Sequence, residues 1–359
     1  MVGAGLYGAV LARVFLDHGR SVLVVDKRSE IGGNCRTKEV EGINVHVYGP
    51  HVFHTNEKRV WDFINRFGKF NNFIAKVIAN YHGSLYSLPF NMNTFYELWG
   101  VVTPQEAKRK IASEVIEHPN PANLEEHVLS LAGREIYEKL VKGYTEKRWG
   151  RSCDELPASI MRRIPFRFTY DDNFFNDKYQ GIPVDGYTNL IANMLDGADV
   201  VLNCDYLNQR KELEYIASQT IFTGPIDAYY NYAFGALQYR SLRYEHEILN
   251  TDNYQGCAVI NYTSSEVPWT RVIEHKHFEL LDTPTTVISK EYVEEWSIEK
   301  EPYYPIEDAA NRELYKRYRE LARMEKNIRF GGRLGEYRYY DMSDTIKSAL
   351  STAFDLLQL

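Results

Sequence analysis

Gly3, Gly5 and Gly8 stand as G-x-G-x-x-G, and the residues that follow make the pattern constraining. The run "LYGAVLARVFLDHG" spaces small and apolar residues at helical intervals and ends on Gly19, a helix stop. Next comes "SVLVVD", a short β-branched run closing on Asp26. Glycine turn, helix, strand and carboxylate in this order specify a dinucleotide-binding β-α-β unit. The first glycine permits the turn, the second lets backbone approach a pyrophosphate, and the third lets helix and strand pack closely. The helix N-terminus then offers free N–H groups to the pyrophosphate, and Asp26 is placed to grip a ribose hydroxyl. Only Met1 and Val2 precede the turn. The strand that leads into such a turn is therefore expected to be absent, through a shortened or misassigned start, leaving the sheet edge beside the cofactor undefined.

The chain has 359 residues, enough for two or three packed units. Its net charge of −7 argues against nucleic-acid binding, so an anionic ligand needs locally placed Arg or Lys. Cys35, Cys153, Cys204 and Cys257 form no C-x-x-C pair, which disfavours a zinc site or disulfide framework and suits a reducing cytosol. No signal peptide and no apolar run of ~20 residues is evident, so neither export nor membrane insertion is expected. His46, His51 and His54 lie close together, but no carboxylate or cysteine completes a metal set at suitable spacing, and no metal is expected. The 27 tyrosines fit either core filling or a groove where rings stack on sugar or base.

Farther along, "KVIANYHGSLYSLPFN" predicts a hairpin turning at His82-Gly83, and "TPQEAKRKIASEVI" a helix entered at Thr-Pro. "NLEEHVLSLAGREIYEKLVKGYTEKRW" predicts two helices broken near Gly133. Strand-like runs return at "ADVVLN", "QTIFTGP", "QGCAVINYT", "TRVIEHKHF" and "TTVISKEY". The end, "NIRFGGRLGEYRYYDMSDTIKSAL", reads as strand, glycine turn and helix, a return to the nucleotide sheet. The stretch "RFTYDDNFFNDKYQG" keeps no period and reads as a lid that closes over a ligand.

Taken with "LPFNMNTF", "GYTEKRWGRS", "RIPFRFTYDDNFFNDKYQGIPVDGYTNLI", "FGALQYRSL", "TRVIEHKHF", "EPYYP" and "FGGRLGEYRYYDM", the chain resembles the bacterial UDP-galactopyranose mutases from residue 3 to about 350. The resemblance implies an α/β fold: a discontinuous Rossmann-like FAD-binding domain (1–73, 184–233, 308–359), an inserted helical bundle (91–157) and an antiparallel β-sheet domain (74–90, 158–183, 234–307). It implies interconversion of UDP-galactopyranose and UDP-galactofuranose, with N5 of reduced FAD as nucleophile on the anomeric carbon and no net redox change. It further implies a cytoplasmic homodimer serving cell-surface polysaccharide synthesis.

The site residues follow from the same resemblance. Arg163 and Arg271 clamp the diphosphate, a role that planar, charge-assisted donors suit. His51 lies beside the isoalloxazine, and Asp341 organises the site. Tyr144, Trp149, Phe174, Asn261, Tyr304 and Tyr339 contact substrate. Gly3, Gly5, Leu6, Gly8, Asp26, Lys27, Gly33, Asn34, Gly224, Arg333 and Met342 contact FAD. Phe174 stands where members commonly carry Tyr, which removes a hydroxyl from the nucleotide site. Two other readings stay open: a flavin amine oxidase or desaturase, and a nucleotide-sugar-binding protein whose flavin is lost with the first strand.

Overall fold

The protein is described by a computed structural model covering residues 1–163 and 166–358, with only the backbone described for residues 159, 162 and 163. It divides into two compact units: residues 1–72, 177–241 and 295–359, and residues 73–176 and 242–294. The helical and sheet segments expected as separate domains share the second unit. Residues 177–183, 234–241 and 295–307, expected with the sheet, belong to the first.

The first unit is built on short parallel strands. Leu23–Val25 pairs with Asp199–Val201, and Thr220–Phe222 pairs with Ile328–Phe330. Val2 joins the two ladders, bridging Val25 on one side and Phe222 on the other. Its N–H donates to Ile221 at 2.8 Å, and the N–H of Gly3 donates to Val25 at 2.8 Å. The first strand, expected to be absent, is thus reduced to isolated bridges at Val2 rather than a strand of its own. Met1–Gly3 is short, but Val2 occupies the place between the two ladders, on the side that leads into the turn. The Leu6–Asp17 helix packs its apolar residues against Met342–Leu357 and Gly186–Leu195, forming the main core of this unit.

The second unit combines helices with a sheet. Its strands run in the order Thr286–Glu295, Arg271–Glu274, Val259–Tyr262, Val77–Tyr81, Ser84–Leu88. The sheet is not wholly antiparallel as expected, because Val259–Tyr262 runs parallel to Val77–Tyr81. The Val77–Leu88 hairpin turns at His82 and Gly83, both with positive φ. Pro104–Glu114 starts at a Thr103 capping box, which satisfies N–H groups in its first turn. Gly133 interrupts the following helix at φ 81° and ψ 177°, the expected break. Tyrosine is used widely as core filler: Tyr137, Tyr187, Tyr239 and Tyr318 are among the largest fully buried side chains.

Candidate active site

The cofactor cradle is local to the first unit. Gly5 caps the Leu6–Asp17 helix with no side-chain bond, and no acid lies in the first turn. The first helical bond runs from Ala9 N–H to Gly5 at 2.9 Å, so the N–H groups of Leu6, Tyr7 and Gly8 in the first turn are available to an anion. Gly3 adopts φ +110°, and a Cβ on Gly8 would meet the Gly3 carbonyl oxygen at 2.1 Å. Gly5 differs: a Cβ there makes only ordinary contact with Gly33, at 3.5 Å. A larger side chain at Gly5 would project into the space beside the helix terminus. These features fit a dinucleotide diphosphate.

The neighbouring expected residues gather around this turn. Leu6 is buried as the first helical residue. Gly33 opens the short Gly33–Cys35 turn, and Asn34 accepts from Arg28 Nη2 at 3.0 Å. Asp26 is buried; its Oδ2 accepts from Ala4 N–H at 2.7 Å and its Oδ1 from Arg28 N–H at 2.8 Å. It therefore staples the strand end to the glycine turn, a structural duty absent from the ribose reading. Lys27 is exposed and pairs with Glu301 at 2.5 Å. Gly224 follows the Thr220–Phe222 strand, where a Cβ would meet the Phe222 ring at 2.8 Å. Arg333 donates to the carbonyls of Tyr303 and Tyr340, at 3.1 and 2.9 Å, and lies over the Tyr339 ring. Met342 begins the last helix, capped by Asp341, whose Oδ1 accepts from Asp344 N–H at 2.9 Å.

A histidine cluster lies in the same unit. The His51 and His46 rings are stacked at 6.3 Å, and the His51 N–H donates to His46 Nδ1 at 3.0 Å. His54 Nδ1 lies 2.5 Å from Asp177 Oδ2, and its Nε2 lies 3.8 Å from Asp341 Oδ2. Asn56 donates to the other Asp177 oxygen. His54 is thus held by one carboxylate while it faces the expected site acid. Tyr304 and Tyr339 meet edge-on at 5.8 Å, and the Tyr339 N–H donates to Glu307 at 2.8 Å. Among the described residues no group of His, Cys, Asp and Glu is arranged to hold a metal.

The second unit carries a polar row across three strands. Asn261 is directly opposite Arg271, and Arg271 is directly opposite Glu291. Opposed residues share a face of a sheet. Arg271 Nε donates to Glu291 Oε1 at 2.9 Å. Glu291 also accepts from Thr270 Oγ1 at 2.7 Å and Tyr244 OH at 2.8 Å, with Arg148 Nη1 at 3.9 Å. Burial disfavours the Glu291 charge, yet Arg271, Arg148 and these bonds outweigh it and hold the carboxyl below its ordinary pKa. Burial likewise opposes the Arg271 charge, and Glu291 together with Tyr144 and Tyr244 more than offsets it. Asn261 is buried, and its Oδ1 has no hydrogen-bond partner among the described residues. An enclosed acceptor of this kind is costly unless a ligand supplies a donor.

Tyr144 joins this row: Arg271 Nη2 approaches its hydroxyl at 3.5 Å. Its helix, Gly143–Trp149, is tied down by Lys147, whose ammonium donates to the carbonyls of Tyr262, Ser264, Val267 and Trp269 at 2.8–3.0 Å. Burial lowers the Lys147 pKa to about 8. Trp149 and Phe174 pack partly buried against the helical core. The stretch expected as a free lid is pinned within this unit: Arg167 donates to Asp171 and Asn173, Tyr170 to Val102, and Phe174 N–H to Ala75. Arg163 ends the short Ala158–Arg163 helix, and its side chain lies outside the described residues. Arg148, Glu291, His54 and Asp177 had no place in the sequence-derived site.

The UDP-galactopyranose mutase family model matches residues 139–339, more than half of the chain. A probable UDP-galactopyranose mutase from Klebsiella pneumoniae is 41% identical over 367 residues, spanning 99% of this chain and 94% of the relative. The chain belongs to the UDP-galactopyranose mutase family. It is accordingly an isomerase of the pyranose–furanose type, and the amine oxidase reading falls away. Another relative of this mutase, the dTDP-fucopyranose mutase of Escherichia coli, is 40% identical over 363 residues, covering 98% and 96% of the two chains. Residues 1–67 match an NAD(P)-binding Rossmann-like domain, in line with the FAD-type cradle. A crystal structure of a reduced UDP-galactopyranose mutase shares the fold at TM-score 0.74 and 14% identity, over 99% of this mutase and 94% of that chain. Putrescine oxidase shares it at 0.55 and 14% identity, covering 100% and 98%, a likeness of fold alone. No helix among the described residues is long and apolar enough to cross a membrane.

Proposed function

We propose that the protein interconverts UDP-galactopyranose and UDP-galactofuranose, with FAD held on the Gly3–Gly8 turn. The observation that carries the reading is the row Asn261, Arg271 and Glu291. When bound and reduced, FAD supplies the nucleophile for the anomeric carbon. Arg271 holds the diphosphate and stabilises the charge that gathers on it as the sugar bond breaks. Glu291 keeps that guanidinium charged and fixes its plane, and the N–H groups not directed at Glu291 and Tyr144 face the ligand. Asn261 Oδ1 accepts from a hydroxyl or N–H of the substrate. Tyr144, Trp149 and Phe174 line the nucleotide in the second unit. In the first unit, Tyr304 and Tyr339 serve the phosphates, His51 serves the flavin, and His54 orients Asp341. Arg163 is assigned to the diphosphate on the family pattern.

The test is turnover of UDP-galactofuranose by dithionite-reduced protein, followed by chromatography, with no reductant consumed per cycle. Failure to convert it under flavin reduction overturns the reading. A second reading, conversion of dTDP-fucose, draws on the near-equal identity to the E. coli relative. Side-by-side kcat/KM values for the two sugar nucleotides separate them. The protein is further proposed to act as a cytoplasmic homodimer serving surface polysaccharide synthesis. A monomer mass by light scattering would remove the dimer.

A further inference from the structure

A concavity of about 620 Å³ on the first unit lies among residues assigned to neither cofactor nor substrate. It is bordered by Arg312, Arg319, Arg323, Arg329 and Arg338. Arg312, Arg319 and Arg323 recur on one face of the Ala309–Met324 helix, at the i, i+7 and i+11 spacing. Arg329 comes from the Ile328–Phe330 strand. All five side chains are exposed, and none forms an ion pair among the described residues.

An ordinary solvated helix face would balance such charge with neighbouring acids. Here the acids hydrogen-bond to other groups and leave most of the charge unbalanced. Of the two acids that line the concavity, Glu307 accepts from the Tyr339 N–H at 2.8 Å, and Glu336 accepts from Ser348 Oγ at 2.9 Å and balances Arg338 in part; Glu313 on the helix accepts from Lys316 at 2.9 Å. Five arginines thus border one concavity in a chain of net charge −7. Part-buried Tyr315 and Phe330 also line it. The volume falls in the range of small-ligand sites, roughly 300–1,000 Å³. Guanidinium forks match phosphate oxygens in geometry and charge.

We propose that this groove binds a small molecule carrying two or more phosphate groups, either a nucleotide or a free oligophosphate. Holoprotein is titrated calorimetrically with inorganic tripolyphosphate and with ADP, alongside an Arg319→Gln/Arg323→Gln variant. Both positions are exposed, and retained FAD content and turnover report an intact fold. The proposal expects one equivalent of tripolyphosphate binding to vanish in the variant, or its affinity to fall at least tenfold. Unchanged isotherms overturn it. Tyr315→Ala distinguishes the sources. Loss of ADP affinity alone supports a nucleotide stacked on the ring, whereas tight tripolyphosphate binding with no added affinity for ADP supports a free oligophosphate.

Discussion

Arg271 and Glu291 face each other on adjacent strands, with Nε and Oε1 2.9 Å apart. The pair makes the sheet a rigid mount for a guanidinium. Arg271→Ala should cost several kcal/mol of transition-state stabilisation, read as a fall in kcat/KM of a hundredfold or more, by analogy with a removed oxyanion donor. Lys should rescue only in part, because it lacks the planar fork. Glu291→Ala strands Arg271 and Arg148 without their shared carboxylate and should destabilise the fold by about 3–5 kcal/mol in urea denaturation. Near-normal turnover of the Arg271→Ala enzyme would remove the diphosphate role.

Gly5 and Gly8 separate cofactor binding from folding. Gly5→Val leaves the backbone unstrained but fills the diphosphate space, so the variant should fold and purify colourless. Gly8→Ala drives a methyl into the Gly3 carbonyl and should lower expression and thermal stability. A fully yellow Gly5→Val protein contradicts the cradle.

His54 is set by Asp177 and faces Asp341. His54→Ala and Asp177→Asn should each lower kcat while sparing FAD content, and the double variant should lose no more than the worse single one. Additive losses, measured under flavin reduction, would mean that the two side chains act separately.

Acid sensitivity should trace in part to His275. Burial, reinforced by His246, lowers its pKa from 6.5 to about 3. The native state holds it neutral while the unfolded chain takes up a proton below about pH 6.5. Its contribution is therefore whole above pH 6.5 and declines toward pH 3, by about 1.4 kcal/mol per pH unit within that window. His275→Gln should flatten this part of the stability–pH curve in denaturant titrations. An unchanged slope would place the acid sensitivity elsewhere.

The Arg167 side chain ties down the segment after it through Asp171, Asn173 and Asn176. Arg167→Ala should speed limited proteolysis between Phe168 and Asn176 in the absence of substrate, and UDP should slow it again. Equal cleavage in every condition would argue against a segment that responds to ligand.

What the sequence revealed was local. The glycine turn, the Thr103 cap, the Gly133 break and the His82-Gly83 hairpin each depend on residues within a few positions, where backbone sterics and capping act directly. The site's second layer depends on register. Nothing in "SKEYVEEW" distinguishes Glu291 from Glu294 or Glu295 until the strand is laid beside Arg271. Asp177 meets His54 across 123 positions, and no spacing rule reaches that far. The charged run Tyr239–Leu249 hid a strand because its alternation carries few apolar residues. Tyrosine abundance, ambiguous between groove and core, served the core to a large extent.

The place of Val2 between Val25 and Phe222 bears on how the chain is made. At roughly 5–20 residues per second, a ribosome needs on the order of ten to forty seconds to pass from the first partner to the second. During that interval the glycine turn is tethered on one flank only. The other unit waits as well, since its strands at Val77–Tyr81 and Val259–Tyr262 are partners from distant parts of the message. Neither half can close around a nascent fragment, so cofactor capture should follow release of the finished chain.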